Sequence, residues 1–208
     1  MNVIQKQIMS VGIMLAAFAV GATSLVAITE AYTRDKIIEN ERQSLLSAIN
    51  ALVDSHQYNN DILTDIITLP KTQQLATKEN TIVYRARKDG APVATIFTSI
   101  APNGYSGTIK LLVGVYYDGT LAGVRVINHK ETPGLGDKID EKKTNWILKF
   151  KGLSLTNPSE SQWAVKKDGG DFDQFTGATI TPRAVVTAVK NALQFFEQNR
   201  DELFKETK

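Results

Sequence analysis

The chain has 208 residues, 24 Lys plus Arg against 22 Asp plus Glu for a net charge of +2, 42% hydrophobic residues and no cysteine. The near-neutral balance gives no basic stripe for nucleic acid, and the apolar fraction is too high for a disordered chain. Without cysteine there is no disulfide framework, no thiolate metal site and no thiol nucleophile, and His56 and His129 alone leave little for a His-rich metal site.

From Gln7 to Thr29 no residue is charged, and the apolar run from Ile8 to Ile28 is long enough to cross a hydrocarbon core of roughly 30 Å as a helix. Residues 1–30 are expected to form a transmembrane anchor. Lys6 followed by Ala17-Phe18-Ala19 also fits a cleaved leader, but the apolar run continues past that site into a helical pattern, which favours an anchor. Lys6 on one flank and Arg34, Lys36 and Arg42 on the other do not decide its orientation. Gly12/Ala16 and Ala17/Gly21 have the spacing that lets a second helix approach closely; they fit a plain lipid-facing helix as well.

Ile38, Leu45, Ile49, Leu52 and Val53 then recur at helical spacing among charged residues, predicting an amphipathic helix over about Ala31–His56. Gln57–Asn80 is polar around one apolar patch, Ile62–Leu69, closed by Pro70, and reads as a linker with one short helix. Residues 31–80 are thus a helical stalk and linker.

From Thr81 the period changes to two. Thr81–Lys88 and Ala91–Ile100 flank Asp89-Gly90, while Leu111–Tyr117 and Leu121–Ile127 flank Asp118-Gly119, predicting two hairpins of an antiparallel sheet. Asn145–Lys151 and Gln162–Lys167 are candidate further strands. A final helix is expected over Pro182–Phe204, capped by Thr181, with Val185, Val189, Ala192, Leu193 and Phe196 on its apolar face. The expected fold is α+β: an anchor and stalk helix, then residues 81–208 as an antiparallel-sheet domain with a C-terminal helix.

The run Asp173-Gln174-Phe175-Thr176-Gly177-Ala178-Thr179-Ile180-Thr181 puts small residues and hydroxyls directly before a helix N-terminus, where free N–H groups and the positive end of the helix dipole favour a phosphate. On the residues alone it is either a phosphate seat or a turn with an ordinary threonine cap. Trp146 and Trp163, in strand-like segments, are expected in the core, as are Tyr105, Tyr116 and Tyr117. Arg183, in the first turn of the last helix, is a weak candidate for a phosphate contact.

The same run resembles the flavinylation motif of FMN-binding domains in ion-pumping redox complexes. A second stretch, Gly114–Ile127 followed by His129-Lys130-Glu131-Thr132-Pro133-Gly134-Leu135-Gly136, resembles those domains too, in the same order. With the N-terminal apolar helix, the likeness covers essentially the whole chain. It is strongest to the family of G subunits of the Rnf (Rsx) ion-translocating electron transport complexes, ahead of the longer, related flavin-bearing subunits of the sodium-pumping NADH:quinone reductase. The resemblance implies FMN held through a phosphoester on Thr179, within a site formed by Asp173, Thr176, Gly177, Ala178 and Thr181. Glu131, Thr132, Leu135 and Gly136 are the candidate second wall, with Pro133-Gly134 suited to a type II turn. The resemblance further implies attachment by a flavin transferase drawing on FAD, other membrane subunits as partners, and a single-pass protein of the bacterial inner membrane with its soluble domain in the periplasm. A transferase would remove the need for a local base at Thr179, and a flavin doing the redox work agrees with the lack of a triad or carboxylate pair. The rival readings are an anchored periplasmic sensor or assembly module with a purely structural loop, and a flavin domain serving another respiratory system.

Overall fold

The computed structural model describes residues 2–205. The chain divides after Leu46 into two compact units. Helix α1, Val3–Asn50, makes up the first unit as far as Leu46, and its residues are exposed as far as Ser44. No proline interrupts it, and it is long and apolar enough to cross a membrane. Its threonine hydroxyls are satisfied within the helix: Thr23 donates to the Ala19 carbonyl at 2.7 Å and Thr29 to that of Leu25 at 2.8 Å. An apolar solvent demands that internal satisfaction.

In the second unit, from Ser47 onward, α1 ends at Asn50 and so stops short of the expected His56. The Asp54 carboxylate accepts the His56 N–H at 2.9 Å and starts a separate 3-10 turn, Ser55–Gln57. An antiparallel meander follows, with strands β1 (Ile66–Leu69), β2 (Thr81–Lys88), β3 (Ala91–Gly104), β4 (Gly107–Tyr116) and β5 (Leu121–Asn128) side by side in chain order. Both expected hairpins form. Asp89 and Gly90 take φ of 53° and 80°, the paired positive values a two-residue hairpin turn asks for. The short helix expected at Ile62–Leu69 is instead a turn followed by β1: the β-branched run Ile66-Ile67-Thr68 pairs with the edge of β2, a partner that local helical spacing does not reveal.

The chain closes with α2, Ile180–Leu203, which packs on one face of the sheet. Val185, Val189, Ala192, Leu193 and Phe196 are buried there as expected, and Phe195 meets Phe97 of β3 edge-on with ring centroids 5.6 Å apart. Leu52 lies against glycines of β4 and β5: a Cβ on Gly114 would come within 3.3 Å of Leu52 Cβ, and one on Gly123 within 3.0 Å of its Cδ2. At the far end of α2, Arg87 donates to the Phe204 carbonyl at 2.7 Å and Arg85 to that of Lys205 at 2.5 Å, both guanidinium groups also pairing with Asp65.

Between β5 and α2 the candidate strands at 145–151 and 162–167 are absent. The chain there makes 3-10 turns at Ile147–Phe150, Glu160–Gln162 and Lys166–Asp168. A 3-10 turn aligns residues three apart, so Ile147 and Phe150 are buried together without a strand partner. Phe150 stacks on Phe172 at 4.9 Å, with Trp146 and Trp163 alongside. This aromatic cluster underlies the segment that leads into α2.

Candidate functional site

The loop 173–179 is anchored at its start and open in its middle. Trp146 Nε1 donates to the Asp173 carbonyl at 2.8 Å, and the buried Phe175 ring packs edge-on against Trp146. The Asp173 carboxylate receives Lys149 Nζ at 2.8 Å and Lys166 Nζ at 2.6 Å. The bonds from these two ammonium groups bring its pKa down to about 2. From Phe175 the chain turns tightly, the Ala178 N–H donating to the Phe175 carbonyl at 3.0 Å, with Gly177 at φ 80°. Only glycine takes that conformation without strain. Thr176 and Gly177 are exposed, and Ala178 and Thr179 are half-buried.

The cap of α2 is Thr179, two residues earlier than the expected Thr181. Its hydroxyl makes no capping bond. The first turn leaves the N–H groups of Ile180 and Thr181 without helical partners, and Pro182 lies within that turn, where it has no N–H to leave unpaired. Thr181 is fully buried inside the helix, and its hydroxyl donates to Glu131 Oε2. Arg183 forms a two-point pair with Asp168 at 2.6 and 2.8 Å, so its guanidinium is engaged within the chain.

The second loop folds back onto this helix start. The Thr132 carbonyl accepts the N–H groups of Leu135 and Gly136, both at 3.1 Å, around Pro133 and a Gly134 with φ 78°, matching the expected turn. Leu135 reaches across to the loop 173–179, where a Cβ on Gly177 would sit 3.6 Å from its Cδ2. A Cβ on Gly136 would come within 2.8 Å of Thr181 Oγ1. Stretches some 40 residues apart in sequence are thereby brought together at the N-terminus of α2. His129 Nδ1 accepts the Glu131 N–H at 3.1 Å, a local brace for the loop.

Two contributors are not evident from sequence. The tip of the β3–β4 hairpin joins the site, the N–H groups of Tyr105 and Ser106 donating to Glu131 at 3.3 and 2.9 Å, and Tyr105 is exposed rather than in the core. Asp137 is buried, and its Oδ1 has no hydrogen-bond partner among the described residues. Its position directly after Gly136 was the one available signal. A cavity of about 260 Å³ at the start of the loop is lined by Trp146, Lys149 and Asp173, whereas one of about 440 Å³ along Ala76–Ile82 holds no residue of either motif.

The second unit is of the FMN-binding domain class: residues 104–194, from the hairpin tip into α2, match the FMN-binding domain family. Residues 1–52 match the RnfG N-terminal region. Along nearly its whole length the chain is similar to proteins named as the G subunit of an ion-translocating oxidoreductase complex. It is 46% identical to that of Vibrio atlanticus over 98% of this chain and 95% of the relative. It is 47% identical to that of Vibrio cholerae serotype O1 (strain M66-2), over 92% and 91%, and to that of Pseudoalteromonas atlantica, over 93% and 90%. The chain belongs to this family, the G subunits of ion-translocating oxidoreductase complexes.

Proposed function

We propose that this chain is a membrane-anchored flavoprotein subunit that carries FMN as a phosphoester on Thr179 and relays electrons within an ion-translocating electron transport complex. The observation that carries the reading is the Thr179 hydroxyl, not spent on capping its helix, at the point where both motif loops meet. The surrounding residues suit the group. Unpaired N–H groups in the first turn of α2 favour its phosphate, Gly177 and Ala178 leave room beside it, and Leu135 offers an apolar surface to the ring. The orphaned Asp137 Oδ1 has the chemistry to accept a ribityl hydroxyl. Bound FMN supplies one- and two-electron redox chemistry, and the protein contributes its placement and electrostatic surroundings.

For attachment, the Thr179 Oγ forms a bond to the flavin-side phosphorus of FAD as the pyrophosphate P–O bond breaks. AMP departs, and the threonine proton passes to a base of the flavin transferase. Asp173 acts from the chain's side by pinning the start of the loop through Lys149, Lys166 and Trp146. The anchor is α1 in the bacterial inner membrane, crossing once, with the second unit in the periplasm and the other membrane subunits of the complex as partners. The apolar stretch of α1 carries no ionisable residue between Gln7 and Thr29, so the ion path belongs to those partners.

Thr179→Ala tests the reading. In a host with an active flavin transferase, denatured Thr179→Ala protein is expected to show no flavin fluorescence while folding and abundance match wild type. Retained covalent flavin would remove Thr179 as the acceptor, and a wild-type chain without flavin would favour a sensor or assembly module.

A further inference from the structure

Glu131 is 4% exposed, and both of its carboxylate oxygens are engaged. Oε1 accepts the Ser106 N–H at 2.9 Å, while Oε2 accepts the Tyr105 N–H at 3.3 Å and the Thr181 hydroxyl. A buried carboxylate is tolerated only with such a set of donors. Here they come from two distant parts of the chain, the β3–β4 hairpin tip and the first turn of α2. Glycines wall in the carboxylate: a Cβ on Gly104 would lie 2.9 Å from Oε1, and one on Gly136 would lie 2.9 Å from Oε2. The side chain therefore has little room to shift.

We infer that Glu131 is a positioning residue for flavin attachment, holding Thr181 and the hairpin tip on one carboxylate and so fixing the turn from which Thr179 presents its hydroxyl. The inference rests on Thr179 being the acceptor. Thr181 is two residues beyond Thr179, its side chain is wholly enclosed, and rotation of this first turn would break its bond to Glu131. In-line attack of Thr179 Oγ on the flavin-side phosphorus, with AMP leaving, depends steeply on the acceptor's placement. Glu131 supplies that placement from outside the acceptor loop, without touching the reacting atoms.

The test uses the full chain in a host with an active flavin transferase, measuring the flavin-bearing fraction by mass spectrometry of denatured protein at a fixed early time, together with thermal unfolding. Glu131→Ala removes the acceptor of all three donors, and the nearly isosteric Thr181→Val removes one hydroxyl. Thr181→Ser restores that hydroxyl, and Ile62→Ala, at a buried position outside the main core, serves as the control for lost stability. Glu131→Ala and Thr181→Val are expected to lower the labelled fraction about tenfold. Thr181→Ser should restore wild-type labelling, and Ile62→Ala should leave it unchanged despite a lowered melting temperature. If Thr181→Val labels like wild type, or if labelling follows melting temperature across the whole set including Ile62→Ala, Glu131 has only a structural role and the inference is overturned. If Glu131→Ala fails to fold, the Thr181→Val and Thr181→Ser pair decides. A wild-type chain that carries no flavin overturns the acceptor reading itself, and this inference with it.

Discussion

Asp173 and Thr179 sit at the two ends of one loop and differ in what their side chains are committed to. Asp173 is held by two lysines, and its carboxyl lies at about 2 against an ordinary value of 3.8. A lowered folded-state pKa means that the stabilisation is complete above about pH 4 and is lost as the pH falls through 2. The group is partly exposed, so salt screens the effect. In thermal unfolding between pH 5 and pH 2, Asp173→Asn is expected to show a shallower acid limb than wild type, and high salt should narrow the difference. Equal acid limbs would show that the two ion pairs add nothing measurable. The place of Thr179 at the start of α2 was legible to within two residues, because its run is contiguous and precedes a helix. The environment of Thr181 was not, because its partner Glu131 lies 50 residues away and capping preferences describe only near neighbours. The position of Asp137 beside Gly136 was visible, but its burial was not, since that follows from how the second loop folds back.

The hairpins were readable because their signal is local: Asp-Gly between alternating β-branched runs specifies turn and pairing together. Strand β1 and the segment 145–168 were not, because short apolar runs suit a strand, a 3-10 turn or one turn of helix equally well, and tertiary partners choose. The edge of β2 selected a strand for Ile66–Leu69, and the aromatic cluster around Phe150 selected 3-10 turns. The contact between the two loops leads to a prediction about glycine. A Cβ at Gly136 would meet both Thr181 Oγ1 and Glu131 Oε2 inside 3.0 Å, so Gly136→Ala should cost about 1–3 kcal/mol through overpacking. Urea unfolding of the two proteins checks this, and a variant as stable as wild type would mean that the second loop yields easily.

At the scale of the whole molecule, chain division after Leu46 separates an exposed apolar helix from a unit with its own core. Upstream of the hairpins Leu75 belongs to that core, and Leu52, Val53 and Ile62 are buried beside it. A chain beginning at Ser47 is expected to stay in the soluble fraction with a cooperative unfolding transition, whereas the full chain should sediment with membranes. A chain beginning at Thr81 lacks those residues and strand β1, and should unfold at lower temperature. Loss of cooperativity in the chain beginning at Ser47 would mean that the second unit depends on the anchor.

Everything proposed for this chain turns on whether Thr179 carries the flavin. The most direct test is intact and peptide mass spectrometry of the protein purified under denaturing conditions from its native host. One FMN, joined as a phosphoester, is expected on the peptide containing Thr179. Unmodified protein from a host whose flavin transferase is active, or flavin on another residue, would contradict it.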